Sequence, residues 1–151
     1  MTSRFGCLFV ACLCGFGCSD PDNPPSPTDA IFPLDFRDSL TRVRDCRLSP
    51  AEHDGFYIDV HATPSAADAY LAGDVPFDEG TLLVKGEYED EDCTDLARIS
   101  AMKRLADDED PALHDWQWQR TNAQGKVVSD TAPRSCAGCH AACADNDFAC
   151  T

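Results

Sequence analysis

The sequence predicts an α+β domain: a mainly antiparallel sheet with two or three short helices packed on it. Three observations carry this prediction. Residues 56–62 and 116–121 alternate apolar and polar side chains, the period of a strand with one buried face. The run from Gly80 to Tyr88, GTLLVKGEY, is strand-like and starts after a turn. Short helix signals stand around these strands, and the count favours antiparallel pairing.

Each element has its own signature. Phe36, Leu40 and Val43 are spaced i, i+4, i+7 with Arg37, Asp38, Thr41 and Arg42 on other faces, which predicts an amphipathic helix ending near Cys46. Phe56, Ile58, Val60 and Ala62 alternate with Tyr57, Asp59, His61 and Thr63, a half-buried strand. Thr63 suits an N-cap with Pro64 at the first helical position, and Gly73 suits the helix end. Residues 97–106 fit strand or helix. Trp116, Trp118 and Arg120 alternate with Gln117, Gln119 and Thr121, and Asn122 to Gly125 form a turn into Lys126-Val127-Val128. The acidic clusters at 87–95 and 107–110 are expected in solvated loops, and neither has the twelve-residue calcium-loop pattern.

The length of 151 residues suits one domain, and the apolar share of 43% is enough for a core. Acids outnumber bases 27 to 12, for a net charge of -15. So few cations cannot neutralise a run of phosphates, which argues against nucleic-acid binding and against docking on anionic lipid. Residues 1–17 carry Arg4 and then an uncharged apolar run from Phe5 to Phe16, too short to span a bilayer and shaped like a secretory signal. Cys18 follows Gly17 and resembles the lipid-modified cysteine of bacterial lipoproteins, although Gly15 stands where that signal usually has Leu. Residues 18–30, rich in Pro, read as an extended tether, and residues 31–151 as the folded domain. An exported protein, periplasmic or on the outer surface and anchored by lipid at Cys18, is the expectation.

Ten cysteines are the unusual part of the composition. Three fall in the signal and Cys18 is set aside for lipid, leaving Cys46, Cys93, Cys136, Cys139, Cys143 and Cys150. Cys136-Ala137-Gly138-Cys139-His140 has the C-x-x-C-H spacing of covalent haem attachment. Two thiols three residues apart reach both vinyl groups on one edge of a porphyrin, and the adjacent histidine ligates iron from the proximal side. Three other readings compete: a redox-active thiol pair, a zinc site of Cys136, Cys139, His140 and Cys143, or six plain disulfide cysteines. If haem takes Cys136 and Cys139, the remaining four can form two disulfides, Cys46 with Cys93 and Cys143 with Cys150.

At this point the chain resembles the cytochrome P-460 family, small exported c-type haem proteins with a mostly antiparallel sheet. The resemblance lies in Pro76 to Lys85, PFDEGTLLVK, against the family's F-x-x-G-T-x-x-V-K strand; in Trp116 to Gly125, against its hairpin; and in C-A-G-C-H followed by Asp147-Phe148-Ala149-Cys150-Thr151. It implies a covalently attached haem c with His140 on the iron. It also implies a role for Lys85, since the lysine at this place is cross-linked to the porphyrin in the hydroxylamine-oxidising members. The competing expectation is that Lys85, sharing a strand face with Thr81, Leu83 and Glu87, simply points to solvent.

Two function classes follow from the resemblance. One is a haem-dependent oxidoreductase acting on hydroxylamine or a related small nitrogen compound, passing electrons to a soluble redox partner. The other is a non-enzymatic haem protein that binds nitric oxide or shuttles single electrons, with Met102 as a possible sixth ligand. Active relatives carry an arginine on the strand matching residues 56–62, where this chain has Ile58 or its neighbours. Tyr57, Asp59, His61 and Glu87 are the candidate distal polar groups, while His53 and His114 are expected at the surface. The family often forms homodimers.

Overall fold

The computed structural model describes residues 29–49, 55–128 and 132–150. The signal, nearly all of the tether, Cys18 and His53 lie outside the described residues. A five-stranded antiparallel meander forms the centre: β1 (Thr41–Leu48), β2 (Tyr57–Ala62), β3 (Leu82–Tyr88), β4 (Leu96–Arg104) and β5 (Trp116–Asn122), in sequence order across the sheet. Three helices accompany it: α1 (Phe36–Ser39), α2 (Pro64–Ala72) and α3 (Ala132–His140). This is the α+β architecture the sequence predicts.

The first helix departs from expectation. It stops after one turn, Leu40 is already extended, and residues 41–48 form the edge strand instead. Phe36 and Leu40 belong to one side of the sheet and Val43 to the other, so the i, i+4, i+7 spacing is not a single helical stripe. β2 needs a hydrogen-bonding partner on its outer edge, and Thr41-Arg42-Val43-Arg44, with β-branched residues alternating with arginines, supplies it. Helix propensity gives way to the sheet's unpaired backbone groups.

β2 is likewise buried on both faces rather than one. Ile58 and Ala62 are covered on one side, Asp59 and His61 on the other. Residues 97–106, ambiguous in the sequence, resolve as strand because β3 and β5 pair with both edges of β4. The helix after β2 behaves as read, with Pro64 in its first turn and Gly73 ending it at φ 71°. Its N-cap Thr63 makes no side-chain cap; the hydroxyl instead accepts the Leu82 N–H at 3.1 Å and so ties the helix start to β3.

Two cores result. The front core joins Val43, Ala62, Leu83, Met102, Trp116 and Trp118 to Tyr70 of α2 and Ala137 of α3. The back core joins Val84, Ile99 and Ala101 to Phe32 and Phe36 from the start of the domain. Disulfides Cys46–Cys93 and Cys143–Cys150 are both formed. The first ties strand β1, not a helix, to the β3–β4 loop.

Candidate functional site

Ala137 sits at the middle of α3 and is buried in the front core, which presses the helix against β5. That anchoring fixes where the motif points. Cys136 and Cys139, one turn apart, share a helix side. Cys136 is half-buried, Cys139 exposed, and both thiols are free while Cys46, Cys93, Cys143 and Cys150 are bonded. Cys143 is therefore not available to a zinc site, and no cluster of three or more His, Cys, Asp or Glu able to hold a metal occurs among the described residues. Burial pushes the Cys136 thiol up, opposed by the nearby charges of Arg120 and Lys85.

His140 closes the helix. Its Nδ1 lies 2.7 Å from the Phe148 carbonyl oxygen. A carbonyl can only accept, so the proton of the neutral ring sits on Nδ1. Burial holds the imidazole below its ordinary pKa, favouring this neutral form. Trp118 meets the ring edge-on, with centroids 4.8 Å apart.

The sheet presents a polar row to the same side. Strand register aligns Arg44, Val60, Lys85, Ser100 and Arg120 across all five strands. Lys85 is only 18% exposed and its Nζ lies 3.1 Å from Glu87 Oε1, so it does not simply point to solvent. Burial holds the amine below its ordinary pKa, partly offset by Glu87. Glu87 is fully buried rather than in a solvated loop. Burial pushes its carboxyl up, but Lys85 and the hydrogen bonds donated by Arg98 and Ser100 outweigh this and hold it below the carboxylate range. Of the acidic cluster at 87–95, Asp90 does lie in the connecting loop, where its carboxylate accepts the Asp95 and Thr94 N–H groups at 2.7 and 2.9 Å.

The other distal candidates lie elsewhere. Asp59 and His61 face the back of the sheet, on the parity shared by Tyr57. There the Tyr88 hydroxyl donates to Asp59 Oδ1 at 3.0 Å, His61 Nε2 is 3.1 Å from Asp59 Oδ2, and Arg37 Nε donates to the Tyr88 oxygen at 2.8 Å. Only Glu87 of the four shares a face with the C-x-x-C-H helix. Met102 is buried between Leu83 and Trp118 as a core residue. His114 is exposed and stacks on Phe148 at 4.0 Å.

Sequence reading missed the arginines. Among the described residues, buried Nε atoms of Arg44 and Arg120 have no hydrogen-bond partner, although both belong to the polar row. For Arg44 the signal was its alternation with Thr41 and Val43, which the helix reading absorbed; for Arg120 it was the strand alternation with Trp116 and Trp118. Two free thiols, an oriented histidine and two arginines whose Nε atoms lack a hydrogen bond, able to meet the carboxylates of a porphyrin, are a donor set that fits haem.

Fold and site together fit a small haem protein. A family model described as Cytochrome P460 matches residues 33–151, and the chain belongs to that family. Membership implies a haem cofactor. No curated protein matches the chain in a sequence search.

Proposed function

We propose that this chain is an exported mono-haem c-type cytochrome, with thioether bonds to Cys136 and Cys139 and His140 as the axial iron ligand. The observation that carries the reading is a single helix bearing two unpaired thiols beside a histidine whose Nδ1 is already committed to Phe148. Bound haem would supply one-electron chemistry toward a small nitrogen compound such as hydroxylamine. The chain's residues do the rest. Phe148 orients His140, Trp118 covers an edge of its ring, and Arg44 and Arg120 would hold the haem carboxylates. Lys85, held by Glu87, stands as the porphyrin cross-linking residue, and electrons leave to a soluble partner.

A non-enzymatic role in binding nitric oxide is the second reading, and one observation favours it. Glu87 is the single distal candidate on this face, and it is already committed to Lys85, Arg98 and Ser100. That leaves it poorly placed to move a proton. An electron shuttle using Met102 is disfavoured by that residue's place in the core.

A reduced absorption spectrum of the haem-matured protein tests these readings. The enzyme reading expects five-coordinate ferric iron and a red-shifted ferrous Soret band that returns to an ordinary c-type position in Lys85→Ala. The nitric oxide reading expects five-coordinate iron with an ordinary Soret in the wild type. Covalent haem surviving in Cys136→Ser/Cys139→Ser, read by intact mass, overturns the attachment.

A further inference from the structure

We infer that Asp147 is the positioning residue of the axial histidine, acting through the Phe148 carbonyl; this rests on the haem reading above. Asp147 and Phe148 both adopt left-handed backbone, at φ 49° and 63°. Side-chain-bearing residues hold that conformation in succession only where the surroundings impose it. Here the Asp147 carboxylate is part of those surroundings. Its Oδ2 accepts the Phe77 backbone N–H at 2.9 Å and lies 3.6 Å from Arg104 Nε, and its Oδ1 accepts the Trp116 indole N–H at 3.4 Å.

Those three partners come from the loop before β3, from β4 and from β5. The carboxylate, 11% exposed, therefore registers the turn against the sheet. The turn is closed locally as well, by Phe148 N–H donating to the Cys143 carbonyl at 3.0 Å and by the Cys143–Cys150 disulfide. Local closure sets the shape of the turn, while the Asp147 carboxylate, beside the packing of Phe148 and Ala149 in the front core, sets its place against the sheet on which α3 also packs. That placement is what makes the 2.7 Å contact between His140 Nδ1 and Phe148 possible. A strong hydrogen bond from Nδ1 makes the opposite nitrogen a better donor to iron and stabilises the ferric state.

Asp147→Asn separates this role from a purely structural one, because Asn tolerates left-handed backbone but cannot present two acceptor oxygens. In the haem-matured protein, the iron–histidine stretching frequency of the ferrous form is expected to fall. The ferric–ferrous equilibrium is expected to move about tenfold toward ferrous, or ~59 mV for one electron. Asp147→Gly, which keeps the turn and removes the carboxylate, should shift both in the same direction and serves if Asn does not fold. A haem-bearing variant with unchanged frequency and potential, even with a lowered melting temperature, overturns the positioning role alone. A wild-type chain whose mass shows no covalent haem overturns the haem reading and this inference with it.

Discussion

On the front face of the sheet Glu87 is buried among Lys85, Arg98 and Ser100, with Arg44 and Arg120 in the next row; on the back face Asp59 is buried between Tyr88 and His61, with Arg37 beyond. Both networks bury a carboxylate, but their balance differs. The back network ends on protein groups at one end, where Arg37 donates also to the Cys93 carbonyl at 2.9 Å, while at the other the buried His61 Nδ1 has no hydrogen-bond partner among the described residues. Among the described residues the front network sets Lys85, Arg98, Arg44 and Arg120 around the acid Glu87. On the haem reading proposed above, that positive face is where the anionic group binds, and the back network is structural.

Glu87→Leu breaks the front network most severely. It leaves Lys85 and Arg98 buried without their shared acid, and urea unfolding should show a loss of about 3–5 kcal/mol. A loss below about 1 kcal/mol would mean that the face is wetter than its burial implies.

Next in size is the alkaline response of the back network. Burial, foremost, pushes the Tyr88 phenol from 10.0 up to about 12. A pKa raised on folding gives stability that is fully present below pH 10 and lost as pH climbs toward 12. A cavity of about 390 Å³ beside Asp59 and His61 admits solvent and screens the effect, so the loss should reach no more than about 2 kcal/mol. Unfolding measured across that window should slope in the wild type and flatten in Tyr88→Phe.

A third effect, of similar size, sharpens the contrast between the faces. Gly86 lies between Lys85 and Glu87, and a Cβ there would stand 2.3 Å from the Tyr88 hydroxyl oxygen and 2.6 Å from Asp59 Oδ1. Gly86→Ala should cost about 1–3 kcal/mol by crowding the back network. The Soret band of the matured protein should not move. A moved band would show that the two faces are coupled through β3.

Much of this architecture was legible one segment at a time. The strands at 57–62, 82–88 and 116–122 carried period-two patterning or strand-like composition, Pro64 and Gly73 bounded α2, and the C-x-x-C-H spacing singled out Cys136, Cys139 and His140. The failures share a cause. Phe36, Leu40 and Val43 looked like a helical stripe because spacing cannot tell which side of a sheet a residue will reach. Asp59, His61 and Glu87 looked equivalent as polar strand residues, since alternation gives parity within a strand but not between strands. Lys85 could not be assigned to solvent or site for the same reason.

By itself the sequence determined the local chemistry: which motif carries two thiols and a histidine, which four cysteines remain to pair, and which segments extend. Only the tertiary structure decided which face each strand turned to that helix, that β1 is a strand, and that Asp147 reaches three elements to hold the turn behind His140. The physical reason is range. Backbone propensity, turns and motif spacing act over a few residues, whereas burial, strand register and the pairing of buried charges exist only once distant segments have packed.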